Sequence, residues 1–149
     1  MISKEKVVQR YKVMLQDRID VFKDMINALT EDSKNDAKGS AGDKHETALS
    51  MMHLEQEKLN RKVQENLLLL QQFSQIDYNK RSSCVVAGSL VKANNYYFLI
   101  CVALPKINID GNTVFAISPQ APLASQLLGC TVNNTVVVND ALYQIQEVW

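Results

Sequence analysis

The chain has 149 residues, and its 16 basic side chains balance its 16 acidic ones. This length excludes large enzyme folds such as barrels and dehydrogenases, and the balanced charge predicts no strong binding to free nucleic acid or to an anionic membrane. No apolar run approaches the roughly 20 residues that span a bilayer, and the first residues lack the apolar segment of a secretory signal. Three scattered cysteines are typical of a reducing cytosol. We therefore expect a cytoplasmic protein with one or two small domains.

Charged side chains are concentrated in the first part of the chain. Residues 1–80 carry 26 of the 32 charges, whereas residues 81–149 carry six and contain all three prolines. Such a change in composition indicates a domain boundary. We predict a helical domain over residues 1–77 and a β-rich domain over residues 78–149.

Apolar residues in the first domain recur at steps of three and four, which is the spacing of one helix face. The first run is Val8, Tyr11, Leu15, Ile19, Phe22, Ile26 and Leu29, and the second is Leu49, Met52, Leu59, Val63, Leu67, Leu70 and Phe73. Gln56 and Asn66 interrupt the second run, as polar residues do in coiled-coil seams. A polar segment without periodicity, near residues 31–46, separates the runs. We predict two long helices packed as an antiparallel hairpin, with this segment at its tip.

The second domain has the pattern of a small sheet. Segments rich in Val, Ile, Tyr and Phe predict five strands, at residues 84–91, 96–103, 113–118, 135–138 and 142–148. The pairs at 94–95, 110–111, 133–134 and 139–140 are turn signals. Pro122 and Gly129 delimit a short predicted helix, since proline is favoured in the first turn and glycine just past the end. The predicted fold class is α+β, with a helical hairpin followed by a small antiparallel sheet and one helix.

The sequence contains no conventional catalytic motif. His45 and His53 are eight residues apart, whereas a zinc-binding pair on one helix needs a spacing of four. Asp43 and Glu46 are three residues apart at the predicted start of the second helix and project from the same side. They would supply only two of the about six oxygen ligands of Mg²⁺. The same Asp-x-x-Glu pattern is a capping box, and spacing alone favours capping over metal binding.

Three segments of the chain together resemble the GreA/GreB family of bacterial transcript-cleavage factors. Residues 42–48 (GDKHETA) and the later Glu55-Gln56 pair are similar to the family's Gly-Asp-Leu-x-Glu-Asn-Ala and Glu-Gln at the tip of a coiled coil. Residues 86–91 (VAGSLV) resemble the strand that opens the family's C-terminal domain. Residues 117–129 resemble its Ser-Pro-Ile-Ala/Gly-x-Ala-Leu-Ile/Leu-Gly motif. The resemblance implies an N-terminal antiparallel coiled coil followed by an FKBP-like domain.

The resemblance also implies a function and a partner. Family members bind bacterial RNA polymerase, with the C-terminal domain at the rim of the secondary channel and the coiled coil inside it. Two tip carboxylates, which correspond to Asp43 and Glu46, help retain the second Mg²⁺ of the polymerase and orient the water that cleaves backtracked RNA. The polymerase and the RNA would supply the other ligands, so these residues would bind Mg²⁺ only in the complex. The protein would be an accessory factor without an active site or cofactor of its own, and it would meet transcript RNA only indirectly.

The tip departs from the family pattern. Lys44 stands where the family has an apolar residue, Leu49-Ser50 replaces an acidic-aromatic step, and Leu54 replaces a basic residue before the Glu-Gln pair. A channel-binding regulator without cleavage activity therefore stays open as the alternative function. A prolyl isomerase using the FKBP-like domain would need an aromatic pocket floor, but the aromatic residues have the strand spacing of an ordinary core. A structural adaptor whose helices bind another helix would make no use of the tip carboxylates.

Overall fold

A computed structural model describes the backbone of residues 2–36 and 43–149, together with their side chains except at residues 33–36 and 43–45. Two long helices, α1 (Lys4–Asp36) and α2 (Asp43–Ser74), open the chain. They are followed by β1 (Leu90–Ala93), β2 (Tyr96–Ile100), β3 (Leu104–Ile109), β4 (Asn112–Ile117), α3 (Pro122–Leu127), β5 (Thr135–Val138) and β6 (Ala141–Val148). The strands form one sheet in the order β3-β4-β2-β1-β6-β5. The predicted α+β class is confirmed.

The chain divides into two compact units. The sheet unit contains Met1–Tyr11 and Gln71–Trp149, and the hairpin unit contains Lys12–Leu70. The first turns of α1 and the end of α2 therefore belong to the same unit as the sheet. None of the helices in the described part of the chain combines the length and apolar character needed to cross a membrane.

In the hairpin unit, α2 carries a seam of buried and partly buried side chains with coiled-coil spacing. Steps of four and three connect Met52, Gln56, Leu59, Val63, Asn66 and Leu70, and this 3.5-residue period is the one that keeps a seam facing a partner helix. The Gln56 amide donates a hydrogen bond to Thr30 Oγ1 of α1 at 3.0 Å. Because this bond joins the last part of α1 to the first half of α2, it agrees with the predicted antiparallel hairpin.

Two positions of the predicted apolar runs differ from the structure. Leu67 is 38% exposed, whereas its neighbour Asn66 is buried, because the heptad step from Val63 leads to residue 66. Val7 rather than Val8 is fully buried near the start of α1. The Asn66 amide donates to Lys62 O at 2.7 Å, and its Oδ1 has no hydrogen-bond partner among the described residues. The seam therefore contains a polar side chain that is only half satisfied.

Aromatic side chains hold the helix ends to the sheet within the sheet unit. The Tyr11 hydroxyl donates to Pro105 O at 2.9 Å and to Val114 O at 3.3 Å. Burial, with a smaller contribution from Cys101, raises the pKa of Tyr11, so this hydroxyl keeps its proton. The Phe73 ring lies 6.4 Å from the Tyr11 ring and 5.0 Å from the Tyr78 ring, measured between centroids. These contacts form a buried aromatic cluster at the base of both helices.

The sheet is mixed, because β2 pairs with β4 in parallel while the other pairings are antiparallel. Strand β3, which pairs with β4 at the edge, was not among the predicted strands. Of its six side chains only Ile109 is buried, and one of the exposed ones is Pro105. Proline is tolerated at edges because it donates no ladder hydrogen bond. With β3 placed between β2 and β4 in the chain, β4 runs in the same direction as β2. The prediction of a wholly antiparallel sheet is therefore wrong for the pairing of β2 with β4.

The turn signals agree with the backbone. Positive φ angles occur at both residues of the pairs Asn94-Asn95, Asp110-Gly111 and Asn139-Asp140, as two-residue hairpin turns require. The predicted first strand is shorter than expected, because residues 84–89 form only an isolated bridge between Cys84 and Thr131 before β1 begins. The short helix α3 has proline at its first position, and Gly129 follows it with φ +83°, as predicted.

Candidate functional site

The start of α2 carries the candidate tip carboxylates. Asp43 is the first residue of α2, and Glu46 lies in its first turn with an exposed side chain. The side chains of Asp43, Lys44 and His45 lie outside the described residues. Whether Asp43 and Glu46 act as a metal-binding pair or as a capping box therefore stays a prediction.

A long and continuous helix supports Glu46. From Asp43 to Leu70, α2 rises about 40 Å at 1.5 Å per residue, and its seam is packed along most of this length. The bond between Gln56 and Thr30 lies ten residues from Glu46 and fixes α2 against α1 near the tip. A carboxylate on such an element is held on a rigid support, as a ligand presented to another molecule needs to be.

The described residues do not form a metal site of their own. No three His, Cys, Asp or Glu side chains lie together where side chains are described. An exposed carboxylate such as Glu46 offers one or two hard oxygen ligands, whereas Mg²⁺ takes about six. The described side chains at this end of α2 therefore supply fewer oxygen ligands than Mg²⁺ takes.

Two exposed apolar side chains lie on the first half of α2. Met51 and Leu54, three residues apart on α2, are 66% and 65% exposed. Glu55 is exposed, and Gln56 is occupied by its bond to Thr30. Phosphate recognition depends on Lys and Arg side chains. Leu54 offers no such charge, whereas Lys58, which is exposed one turn further along α2, does.

The two motif segments of the sheet unit have structural roles. Gly88 adopts φ +91° and donates to Ile100 O at 2.7 Å, which turns the chain into β1. The Ser89 hydroxyl is buried and accepts a hydrogen bond from Val86 N at 3.0 Å. In the second segment, Ser118 Oγ accepts from Gln120 N at 3.2 Å just before α3. Both segments therefore shape turns of the backbone.

Of the aromatic residues on the sheet, Tyr97 and Phe98 are buried as predicted, whereas Tyr96 is 47% exposed. Phe98 is buried, its ring lies 5.4 Å from the Phe115 ring, and the Tyr143 ring lies 6.1 Å away. These residues belong to the same apolar cluster as α3, β5 and β6. The rings of this cluster pack against one another within the sheet unit.

The covered ammonium group of Lys4 in the sheet unit was not predicted from the sequence. The Lys4 ammonium is covered by neighbouring atoms and has no hydrogen-bond partner among the described residues, beside a cavity that Arg81 also lines. These two cations are 77 residues apart in the chain, and no local pattern relates them.

Comparison with known proteins gives a similarity to solved structures. No family model and no curated protein matches the chain. A solved structure, described as that of the transcription factor Gfh1, aligns over 92% of this chain and 92% of its own, with 11% identity and a TM-score of 0.38.

Proposed function

We propose that this protein is a Gre-like transcription factor that binds bacterial RNA polymerase through its secondary channel and stimulates cleavage of backtracked RNA. The observation that carries this proposal is the position of the tip motif. Residues 43–48 of the segment that resembles the family's tip sequence begin a 32-residue helix, and Glu46 is exposed there. The fold, a helical hairpin followed by a small sheet, is the architecture that the resemblance implies.

The residues of this chain would act inside the active site of another enzyme. Asp43 and Glu46 would donate carboxylate oxygens, which suit Mg²⁺ as hard ligands, and the polymerase and RNA would complete the coordination. The second Mg²⁺ would stabilise the attacking and leaving oxygens of the phosphodiester. The packed seam of α2 would keep the carboxylates in place. In this proposal the protein works in the cytoplasm as an accessory factor, with no active site or cofactor of its own.

Cleavage of RNA in arrested transcription complexes tests this proposal. We expect the unaltered protein to shorten 5′-labelled transcripts, and we expect Asp43→Ala and Glu46→Ala each to slow shortening by about tenfold or more, as loss of metal-site partners does. Glu57→Ala removes another exposed carboxylate from α2 and should leave the rate unchanged. Polymerase binding, measured by competition, should be equal in all four proteins. Equal cleavage by the unaltered protein and both tip variants would contradict the proposed role of the carboxylates.

One observation favours the second candidate function, a channel-binding regulator without cleavage activity. The exposed Leu54 replaces the basic residue that the family places near the RNA. If cleavage is the function, Leu54→Arg should increase the cleavage rate severalfold, because it adds a cation beside the transcript phosphates. Leu68→Arg, at another exposed leucine of α2, should have no effect. A protein that alters initiation or pausing without any shortening, before and after the Leu54→Arg change, would instead be the regulator.

Free nucleic acid is not a partner in this proposal. The net charge is zero, and residues 81–149 contain only three basic side chains. Few counterions would therefore be released on binding to RNA, and the affinity for free RNA at physiological salt should be weak.

A further inference from the structure

The sheet unit contains a cavity of about 540 Å³ at the start of α1. Its wall includes Lys4, Glu5, Tyr78, Asn79, Arg81 and Trp149. This volume lies within the range of about 300–1,000 Å³ that is typical of small-molecule sites. The lining combines charged, polar and aromatic groups, so the cavity has the chemical variety of a binding site.

Two cations, Lys4 and Arg81, and one carboxylate, Glu5, line this cavity. The Lys4 Nζ is buried and makes no hydrogen bond to the described residues. Burial lowers the pKa of Lys4, the positive charge of Arg81 lowers it further, and Asp77 acts in the opposite direction. A buried ammonium without a partner is unfavourable. An anion between Lys4 and Arg81 would remove this cost and would also offset the repulsion between the two cations.

The aromatic side chains of the wall are held in place by packing behind them. The Trp149 ring stacks on Tyr97 at 6.1 Å with an interplanar angle of 26°. The Tyr78 ring lies 5.0 Å from Phe73, and its hydroxyl donates to Phe73 O at 2.7 Å. Planar groups that are already positioned favour a flat aromatic ligand, because little side-chain freedom is lost on binding.

We propose that this cavity binds a small phosphate ester that carries an aromatic ring, a ligand of the nucleotide class. Arg81 would hold the phosphate with two hydrogen bonds, the arrangement for which its guanidinium is suited. Lys4 would turn its flexible side chain so that the ammonium leaves its covered position and contacts the phosphate. The ring would lie against Trp149 or Tyr78. A dianionic phosphate suits two cations better than a single carboxylate does.

Calorimetric titration of the full-length protein tests the site. Adenosine monophosphate should bind more tightly than inorganic phosphate, and adenosine should bind least. Lys4→Met and Arg81→Gln should each weaken the binding of adenosine monophosphate by about tenfold or more, since each removes a charged hydrogen bond. Glu5→Gln should strengthen it severalfold, because it removes a carboxylate from the wall. Lys80→Gln, an exposed cation next to Arg81 that does not line the cavity, is the matched control and should have no effect.

A second measurement separates ligand binding from a structural role of Lys4. Without ligand, Lys4→Met should raise the thermal unfolding midpoint, because methionine replaces an unpaired buried ammonium by an apolar side chain of similar length. A lower midpoint would mean that Lys4 stabilises the fold through a protein contact, which would overturn the proposal. The proposal would also be wrong if the unaltered protein bound neither phosphate nor adenosine monophosphate at millimolar concentration. It would be wrong as well if Lys80→Gln weakened binding as much as Lys4→Met. Tighter binding of an acidic peptide than of the nucleotide would also contradict it. No polymerase is present in these experiments, so their outcome is independent of the cleavage assay.

Discussion

Replacement of Gly88 by alanine should lower the free energy of unfolding by about 2–5 kcal/mol, which combines the strain of a left-handed backbone with the cost of forcing an extra methyl group into a packed site. Gly88 has φ +91°, and a Cβ there would lie 2.6 Å from Asp77 O and 3.0 Å from Ile76 Cγ2. The closest atom belongs to the backbone, so no side-chain rotation removes the clash. The backbone of Gly88 is also fixed on the other side, because its N–H donates to Ile100 O at 2.7 Å.

Gly111 provides the matched control for Gly88. It has a similar φ of +82°, but among the described residues no atom lies within 4 Å of its added Cβ. Gly111→Ala should therefore cost only the backbone strain, about 1–2 kcal/mol. Urea unfolding followed by circular dichroism measures both values. Equal losses for the two variants would mean that the contact with Asp77 relaxes easily and that Gly88 is constrained by its φ angle alone.

Phe73→Ala should destabilise the sheet unit by about 3–5 kcal/mol, the cost typical of removing a buried aromatic ring. Phe73 is fully buried and lies between the rings of Tyr11 and Tyr78. Tyr11 is held by its bonds to Pro105 O and Val114 O, so it cannot easily move to fill the space. We therefore expect a cavity to remain, which is the condition under which such substitutions are most costly.

The effect of Phe73→Ala can be assigned to one unit. Trp149 is the sole tryptophan of the chain and belongs to the sheet unit, so its fluorescence reports the unfolding of that unit, whereas far-ultraviolet circular dichroism is dominated by the helices. Leu68→Ala, an exposed position on the same helix, should change the free energy of unfolding by less than about 0.5 kcal/mol. A loss below about 1 kcal/mol for Phe73→Ala would contradict the role given to the aromatic cluster.

Much of the fold could be predicted from local patterns. The steps of three and four along both helices follow from the seam that they bury, and the structure places both Gln56 and Asn66 in that seam. The asparagine pairs predicted hairpin turns because Asn tolerates positive φ. Strand β3 was missed for an equally physical reason. An edge strand with exposed side chains and a proline lacks the alternation that marks a half-buried strand, and its position determines the parallel pairing of β2 with β4.

The candidate site could be predicted only in part. The tip motif led to Glu46, which is exposed on the first turn of α2, while the pairing of Asp43 with Glu46 stays a prediction. The cavity beside Lys4 and Arg81 could not be predicted, because its lining comes from the start of α1, the segment after α2 and the end of the chain. Tertiary packing brings these three segments together, and it leaves no periodic pattern in the sequence.

The sheet unit is discontinuous along the sequence. The unit begins with Met1–Tyr11, is interrupted by Lys12–Leu70, and resumes at Gln71. Tyr11 and Phe73, on either side of the interruption, have ring centroids only 6.4 Å apart. The hairpin is thus an insertion whose two ends are neighbours, the arrangement that best tolerates grafting of one module into another. A hairpin of different length or tip chemistry could be exchanged at these two positions while the host sheet kept its own contacts.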